Sequence, residues 1–451
     1  MERVPVSYEI ALTRAASKAM ASLRESGFAA YAVGGCVRDS LLGIAPGDWD
    51  ITTNALPDQV CGVFSEYTVV PTGIKHGTVT VLFDGEPVEI TTFRADGHYS
   101  DSRRPDSVSF SADLRGDLSR RDFTVNALAW SPDEGVIDCF GGLSDLAGGI
   151  IRCVGSPKDR FGEDALRILR CARFASSLGF AIEADTARAM HAMKSSLSIV
   201  ARERVRTELV KAILGRGFEG VFTEHRDILL ECIPELAPCV DFPQNHPYHM
   251  YDVYRHIIKS VASAEKDIIV RMAMLLHDIG KPACHTRDEQ GIDHFRGHQQ
   301  KSHDMAEEIL RRLRFPARMS EDILMLVKYH DDRFEHTPAE IKRRLARFGS
   351  RLFELLIRVK RADALAQAPN PHGIWLNGIG EVEEIFRDII AKGECYCVSM
   401  LAVNGGDLIA AGMKPGKAVG DALGLLLERV ISGEIENERE ALLKFAANIV
   451  K

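Results

Sequence analysis

Two aspartates that flank one tryptophan are the residues whose types and spacing most directly suggest chemistry. Asp48 and Asp50 lie on either side of Trp49, and the segment from Trp49 to Thr53 has the composition of a strand. Side chains two positions apart on a strand point to the same face, so we expect the carboxylates to lie side by side. Such neighbours repel each other unless a cation neutralises them, and Mg²⁺ prefers carboxylate oxygens. The pair therefore predicts a magnesium site, although an isolated D-x-D is more often a solvated strand or turn.

A glycine pair precedes these aspartates. Gly34 and Gly35 follow the short apolar run Tyr31 to Val33 and come before a segment of helical character. Glycine lets a backbone N–H approach a phosphate closely, and a helix N-terminus favours an anion. The pair therefore predicts that a phosphate meets the metal at this point of the chain.

The whole stretch, GG-x-x-RD followed by G-D-x-D-I-T, resembles the signature of nucleotidyltransferases that extend RNA 3′ ends. Within that group it is similar to the bacterial-type (class II) CCA-adding enzymes and their poly(A) polymerase relatives. The resemblance implies addition of C, C and A to the tRNA 3′ end from CTP and ATP without a nucleic-acid template. It implies that Asp48 and Asp50 hold two catalytic Mg²⁺ ions, and that phosphates are bound by Gly34, Gly35, Arg38 and Arg121.

A second motif, RRDFT-x-NA at 120–127, is similar to the family's second motif. Arg120 and Arg121 can pair with triphosphate oxygens, and Asp122 can accept a hydrogen bond from a ribose hydroxyl. We expect Asn126 to bind the nucleotide together with Arg121 and Asp122. Two interpretations of Glu89, in VEITTFR, are equally open. It is either an exposed acidic residue of a strand or a third catalytic carboxylate beside the aspartate pair.

The segment FGEDALRILRCARFA carries Arg167, Arg170 and Arg173 at three-residue spacing, with Asp164 before them. Cytosine and adenine both present an amine donor beside a ring-nitrogen acceptor, so a carboxylate and an arginine together would accept C and A and reject U and G. This matches the E-D-x-x-R motif of the resembling family, in which the protein acts as the base template. The alternative is an i,i+3 salt bridge within a helix. We expect nucleotide binding by Asp164, Arg167, Arg170 and Arg173.

Histidines concentrate between Pro243 and Phe334 in a pattern H…HD…D that resembles the HD phosphohydrolase superfamily. The resemblance implies a divalent transition metal or Mg²⁺ at a second site, with open positions for water and phosphate. Asp363 is an alternative to Asp331 as the last ligand, and the motif HQQKSH favours surface positions for His298 and His303. The expected ligands are His256, His277, Asp278 and Asp331.

Composition sets the class of protein. The chain of 451 residues is 45% apolar and 27% charged, which is typical of a globular protein with about three domains. Because no signal-like N-terminus and no apolar run of membrane-spanning length is visible, we expect a cytoplasmic protein without a membrane partner. The ten scattered cysteines favour reduced thiols. A net charge of −8 does not exclude RNA, since affinity depends on local phosphate contacts.

The elements that position these residues predict an α+β fold, with a small mixed-sheet head followed by an all-helical neck, body and tail. An amphipathic helix is expected at 8–27, and strands at 67–70, 77–83 and 87–93. The polar segment 94–118 is either a mobile cover or a surface excursion. The expected domains are a nucleotidyltransferase head at 1–154, a base-selecting neck at 155–220, a metal-binding body at 221–345 and a tRNA-binding tail at 346–451.

Three alternatives remain open. An enzyme that adds only CC or only A is not separated by these motifs. A poly(A) polymerase is disfavoured because VVPTGIKHGTVTV replaces the G-R-[RK]-F-x-x-x-H stretch of those relatives. From a different class, the chain could be chiefly an HD phosphohydrolase with an RNA-binding head. The oligomeric state does not follow from the sequence.

Overall fold

The structure is a computed structural model and describes residues 10–74, 77–96, 108–110, 113–245, 250–367 and 374–449. The chain divides into two compact units, Met1–Pro234 and Glu235–Lys451. Much of the polar segment expected as a cover or surface excursion, at 97–107 and 111–112, lies outside the described residues. The four expected domain boundaries stay a prediction.

The first unit is built around a mixed seven-stranded sheet. The described strands of this unit, seven in the sheet and four in two separate short pairs, are β1 Ala30–Val33, β2 Asp50–Thr53, β3 Thr68–Gly73, β4 Thr78–Phe83, β5 Glu86–Thr92, β6 Arg94–Asp96, β7 Val108–Phe110, β8 Leu128–Ser131, β9 Gly135–Asp138, β10 Ile150–Ile151 and β11 Ala181–Ile182. The sheet order is β3-β4-β5-β2-β1-β8-β9. Strands β2 and β5 pair in parallel and the other neighbours pair antiparallel. The predicted mixed-sheet head is confirmed.

Burial along the strands shows which face of the sheet is packed. In β4 buried and partly exposed residues alternate, as expected for a strand with one covered face. In β5, Val88 and Ile90 are fully buried while Glu89 between them is exposed. The acidic side chains of β2 and β5 therefore stand on the face opposite the apolar side chains of Val88 and Ile90.

Helices cover the sheet and continue beyond it in the same unit. The first begins at Arg14 rather than at residue 8, because Thr13 caps it by accepting a hydrogen bond from the N–H of Ala16. The helices are α1 Arg14–Glu25, α2 Gly35–Leu41, α3 Pro57–Val63, α4 Leu114–Ser119, α5 Gly142–Gly148, α6 Pro157–Glu163, α7 Leu166–Leu178, α8 Ala184–Met193, α9 Arg202–Ile213, α10 Phe218–Glu224 and α11 Arg226–Cys232. Helices α7 and α9 pack closely, and the hydroxyl of Ser176 donates to the carbonyl of Ala212 at 2.6 Å.

The second unit is almost wholly helical. Its described helices are α12 Val253–Ser263, α13 Ile268–Leu276, α14 His298–Arg312, α15 Ala317–Tyr329, α16 Pro338–Ala366, α17 Ile374–Ala391, α18 Gly405–Ala410, α19 Lys417–Ile431 and α20 Arg439–Ile449. One short hairpin joins β12 Thr286–Arg287 to β13 Asp293–His294. Helix α16 breaks at Gly349, whose φ is +72°. Among the described residues, no helix is both long and apolar enough to cross a membrane.

Candidate functional site

Three carboxylates lie close together where β2 pairs with β5. In the parallel register Asp50 is the direct partner of Glu89, so the two side chains share one face, and Asp48 lies just before β2. Burial raises the pKa of Asp50 to about 6, Arg121 opposes this shift, and the charges of Asp48 and Glu89 add to it. A cation bound beside these carboxylates would favour the ionised form of Asp50 and so oppose this shift. The donor set fits a hard cation such as Mg²⁺, and the register places Glu89 beside the pair.

Arg121 reaches this carboxylate group because Gly34 lacks a side chain. Gly34 has a φ of +78°, and a Cβ at this position would lie 2.6 Å from Nη1 of Arg121. The guanidinium lies 3.9 Å from Asp117 and also lowers the pKa of Asp50 by its charge. Burial in turn lowers the pKa of Arg121. The structure thus places a partly buried cation, Arg121, beside the candidate metal site.

One backbone donor of the glycine pair is already engaged within the sheet. The N–H of Gly34 donates to the carbonyl of Leu128 at 3.1 Å, so this donor serves the backbone rather than a ligand. The visible role of Gly34 is to admit the guanidinium of Arg121. Arg38 is likewise engaged, because its Nε donates to Asp39 at 2.8 Å. The expected phosphate contacts of Gly34, Gly35 and Arg38 stay a prediction.

Asp122 lies in a buried network instead of facing open space. Its Oδ2 accepts from Nε and Nη2 of Arg170 at 2.8 and 2.6 Å. Its Oδ1 accepts from the N–H of Phe123 at 2.8 Å and from Nδ2 of Asn126 at 3.0 Å. Asn126 in turn accepts from Nη1 of Arg38 at 2.5 Å. Because these contacts use the acceptor capacity of the carboxylate, a ribose hydroxyl would have to displace one of them.

Three arginines, one from α2 and two from α7, surround one aromatic ring. The guanidinium carbons of Arg38, Arg170 and Arg173 lie 5.1, 5.3 and 3.4 Å from the ring centre of Phe174. Nε of Arg173 donates to Glu208 on α9 at 2.8 Å, which neutralises part of this charge. The three cations therefore join α2, α7 and α9 through cation–π contacts and through the ion pairs of Arg170 and Arg173 with Glu208.

Asp164 and Arg167 do not form the intrahelical salt bridge that was the alternative interpretation. Asp164 lies between α6 and α7 with extended backbone angles, and its Oδ2 accepts from Nη2 of Arg204 at 2.8 Å. Nη1 of Arg167 donates to Glu163 at 2.5 Å, and Nη2 donates to the carbonyl of Arg120 at 3.0 Å. The pair is held by separate partners, and its expected role in base selection stays a prediction.

Asp117 is a residue of this site that sequence reasoning missed. It is fully buried and accepts from Nη2 of Arg120 at 2.7 Å and from the hydroxyl of Thr52 at 3.2 Å. A buried carboxylate so engaged orients the arginine motif against the sheet. The i,i+3 spacing of Asp117 and Arg120 was the signal available in the sequence.

A second group of chemical side chains lies in the other unit. We call it the histidine cluster, and it consists of His256, His277, Asp278, His298, His330 and Asp363. Nε2 of His256 lies 3.2 Å from Nε2 of His277 and 3.3 Å from Oδ2 of Asp278. Nε2 of His298 lies 3.3 Å from Nε2 of His330 and 3.3 Å from Oδ1 of Asp278. The described residues thus offer two ligand groups that share Asp278.

Two expectations about this cluster are corrected. Oδ1 of Asp363 lies 3.0 Å from Nε2 of His256, whereas Asp331 is exposed and accepts from Gln299 at 3.1 Å. The carboxylate beside the cluster is therefore the alternative, Asp363, because α16 packs against α12. His298 is 6% exposed, so its expected surface position is wrong. The buried stripe that it begins on α14, with Ser302 and Ala306, was the missed signal.

The pKa shifts within the cluster show that its buried carboxylates stabilise a positive charge. Burial acts to raise the pKa of Asp278, but His277 and Lys281 hold it well below its usual value. Burial acts to lower the pKa of His277, but Asp278 and Asp363 raise it to about 10. Burial lowers the pKa of His330 to about 3, with His277 adding to the effect. The negative charge of the carboxylates thus stabilises a cation among them, which is either a proton on one imidazole ring or a bound metal ion.

Family models and known relatives agree over this architecture. The "Poly A polymerase head domain" model matches residues 30–152, the model for the RNA and SrmB-binding site of polymerase A matches 179–237, and the model for tRNA nucleotidyltransferase domain 2 matches 286–446. The CCA-adding enzyme of Limosilactobacillus fermentum is 32% identical over 100% of this chain and 99% of its own length. That of Lactiplantibacillus plantarum is 34% identical over 96% of this chain and 95% of its own.

Solved structures give the same result. The crystal structure of the Bacillus stearothermophilus CCA-adding enzyme in complex with CTP matches with a TM-score of 0.71 and 28% identity, covering 96% of each chain. Both the sheet-based head and the helical remainder fall within this match. From the full-length identity and the shared fold, the chain belongs to the nucleotidyltransferase family of CCA-adding enzymes.

Proposed function

We propose that this protein adds C, C and A to the 3′ end of tRNA from CTP and ATP without a nucleic-acid template. The observation that carries the proposal is the register of β2 and β5, which sets Asp50 directly beside Glu89. Asp48 lies just before β2. The full-length similarity to CCA-adding enzymes supports the substrates. The similar structure with bound CTP supports a nucleotide site in the head.

The carboxylates Asp48, Asp50 and Glu89 would hold Mg²⁺. When bound there, Mg²⁺ would supply activation of the 3′ hydroxyl and neutralisation of the triphosphate charge for in-line attack on the α-phosphate, with pyrophosphate as the leaving group. Arg121 stands beside these carboxylates and would contact triphosphate oxygens as a fixed cation. Asp50 would serve as a ligand in its ionised form, which the charge of Arg121 favours against the effect of burial.

The neck residues would divide into base-selecting and positioning roles. Asp164 and Arg167 carry the acceptor and donor that suit C and A, and both lie at the start of α7. To bind a base, Asp164 would have to release Arg204, and Arg167 would have to release Glu163. Asp122 is a positioning residue in this scheme, because Arg170 and Asn126 occupy its acceptor positions.

The test of the main proposal uses tRNA that lacks its 3′ CCA. With CTP alone we expect two added nucleotides, and with CTP and ATP we expect three. Asp50→Asn should abolish incorporation and keep tRNA binding, because the variant loses one charge at the metal site. Asp58→Asn is the matched control, since this exposed carboxylate lies in the first turn of α3, away from the pairing of β2 with β5. A long A tail on unrelated RNA would favour a poly(A) polymerase, and retained incorporation by Asp50→Asn would remove the catalytic assignment.

A second function, metal-dependent hydrolysis of phosphate esters, is supported by a separate observation. Four members of the histidine cluster line a cavity of about 670 Å³ that is also lined by Lys281, Lys360, Arg296 and Arg333; the four are Asp278, His298, His330 and Asp363. Cationic side chains beside a metal site suit a phosphate. Hydrolysis of bis(p-nitrophenyl) phosphate with added Mn²⁺, Ni²⁺ or Mg²⁺ tests it. Asp278→Asn should lose the activity and the exposed Asp331→Asn should keep most of it. No hydrolysis with any of these ions would contradict the second function.

A further inference from the structure

The two adjacent arginines of the motif at 120–127 have different surroundings, although they are residues of the same type. We propose that Arg120 is a positioning residue, which pairs with the buried Asp117 and thereby fixes the backbone carbonyl that holds Arg167. This inference deepens the proposed function and rests on it, because it assigns a support to the arginine proposed to select C and A. Arg121 keeps the role of the cation that contacts the triphosphate.

The ion pair between Asp117 and Arg120 is short and largely shielded from water. Nε and Nη2 of Arg120 donate to Oδ1 of Asp117 at 3.0 and 2.7 Å. Asp117 is fully buried, and the side chain of Arg120 is 17% exposed. Two N–H groups that converge on one carboxylate oxygen fix the guanidinium more firmly than a single bond. Because little water reaches the pair, the attraction between its charges is stronger than at the protein surface.

Asp117 connects this pair to the strand that carries the candidate metal site. Its Oδ2 accepts from the hydroxyl of Thr52 at 3.2 Å, and Thr52 follows Asp50 by two positions on β2. The two β2 side chains therefore lie on the same face of the sheet. Oδ1 of Asp117 also accepts from the backbone N–H of Arg94, in β6, at 3.4 Å. Helix α4, which carries Asp117, is thus attached to the sheet next to Asp50.

The carbonyl groups at the end of α4 accept hydrogen bonds from two arginines of the next helices. The last carbonyls of a helix have no partner within that helix. Nη1 of Arg160, on α6, donates to the carbonyl of Ser119 at 3.1 Å, and Nη2 of Arg167, on α7, donates to the carbonyl of Arg120 at 3.0 Å. The side-chain pair of Asp117 and Arg120 spans the same turn and so fixes the direction of these carbonyls.

Arg167 depends on this support when a base binds. Its Nη1 donates to Glu163 at 2.5 Å and to the carbonyl of Arg160 at 3.3 Å. If a base displaces Glu163, the carbonyls of Arg160 and Arg120 remain to hold the guanidinium. Of these two, only the carbonyl of Arg120 is connected through Asp117 to β2. It therefore sets the position of Arg167 relative to the carboxylates of the candidate metal site.

The contacts of Arg121 are longer and suit a cation that binds a ligand. Its Nη2 lies 3.9 Å from Oδ2 of Asp117, and its Nη1 donates to the carbonyl of Asn126 at 3.4 Å. A triphosphate can therefore compete for Arg121 more readily than for Arg120, whose pair with Asp117 is about 1 Å shorter. The geometry divides the two arginines into one that binds phosphate and one that positions Arg167.

The ratio of kcat/KM for CTP to kcat/KM for UTP, measured on tRNA lacking CCA, tests the inference. Both substrates are compared in one protein sample, so a partly unfolded sample does not change the ratio. Arg120→Gln and Asp117→Asn should each lower it roughly tenfold, because a misplaced Arg167 weakens the hydrogen bond to cytosine and not to uracil. The matched control Asp113→Asn removes an exposed carboxylate at the start of α4, where asparagine also caps a helix, and should keep the wild-type ratio.

Two further measurements separate a positioning role from a phosphate contact. In the Arg167→Met background, Arg120→Gln should not lower the ratio further, since both substitutions act on one contact. Inhibition by pyrophosphate, which has no base, should weaken in Arg121→Gln and keep its wild-type strength in Arg120→Gln. Arg120→Gln decides the question by itself if Asp117→Asn does not fold, because Arg120 is the partly exposed member of the pair.

The possible results lead to different conclusions. A wild-type ratio in Arg120→Gln, with a lowered ratio in Arg167→Met, would overturn this inference and leave the base-selecting role of Arg167 in place. An unchanged ratio in Arg167→Met would contradict that role and overturn the inference with it. Weaker pyrophosphate inhibition in Arg120→Gln would identify Arg120 as a phosphate ligand and also overturn the inference, as would a further loss of the ratio in the Arg167→Met background.

Discussion

Of the glycine pair before the acidic motif, Gly34 is the residue that we expect to tolerate alanine least. Its φ of +78° is rarely adopted by residues with side chains, and an added Cβ would lie 2.6 Å from Nη1 of Arg121. The nearest atom to a Cβ on Gly35 is Nη2 of Arg38 at 3.7 Å, which is an ordinary contact. The structure therefore separates two adjacent glycines that the sequence treats alike.

The size of the effect follows from two costs. Backbone strain in such a region costs about 1–3 kcal/mol of folding free energy. Because the guanidinium is the end of a flexible side chain, it should move away from the new Cβ and so leave the neighbourhood of Asp50. The loss of one charge-assisted hydrogen bond to a triphosphate is worth about 1.5–3 kcal/mol, or roughly a ten- to hundred-fold lower kcat/KM for CTP and ATP.

Gly27→Ala is the matched control for the strain alone. Gly27 has a φ of +82°, and among the described residues no atom lies within 4 Å of its Cβ position. We expect Gly34→Ala and Gly27→Ala to lower the melting temperature by similar amounts, and only Gly34→Ala to lower kcat/KM on tRNA lacking CCA. Gly35→Ala should change neither strongly. Equal kcat/KM for Gly34→Ala and Gly27→Ala, measured below their melting temperatures, would refute the role given to Arg121.

Two further predictions concern stability. Asp122→Asn should lower the free energy of unfolding by about 3 kcal/mol near pH 7 because it breaks a buried ion pair. Burial acts to raise the pKa of Asp122, but Arg170 and its hydrogen bonds hold it below the ordinary value. The wild-type advantage is therefore present above about pH 4 and shrinks as the pH falls below it. Urea unfolding at several pH values measures this, and a constant difference down to pH 2 would contradict it. Gly142→Ala should destabilise by about 1–3 kcal/mol, since its Cβ would lie 2.3 Å from the carbonyl oxygen of Thr124. The helical control Gly162→Ala should not destabilise, and equal melting temperatures for the two would count against the packing argument.

Local patterns in the sequence were sufficient for the elements that carry the head site. The β-branched residues in 77–83 and 87–93 predicted β4 and β5. The spacing of Asp48 and Asp50 predicted two carboxylates at one place, because strand geometry depends only on neighbouring residues. The family resemblance is also a property of local motifs, and the full-length relatives confirm it.

Burial and pairing between distant segments could not be read in the same way. Whether Glu89 stands beside Asp50 depends on the parallel register of two strands, and the sequence left both alternatives open. The partners of Asp122 include Arg170, which lies on α7 and is 48 residues away in the sequence. A hydrogen-bonding network of this kind consumes acceptors that appear available in the sequence.

The histidine cluster shows the limit most clearly. The sequence determined that His256, His277 and Asp278 have the types and spacing of metal ligands. Only the tertiary structure decided that His298 and Asp363 join them and that Asp331 does not. The physical reason is that a ligand group closes through the packing of separate helices around one buried carboxylate. Local periodicity describes each helix, but it does not define which faces meet.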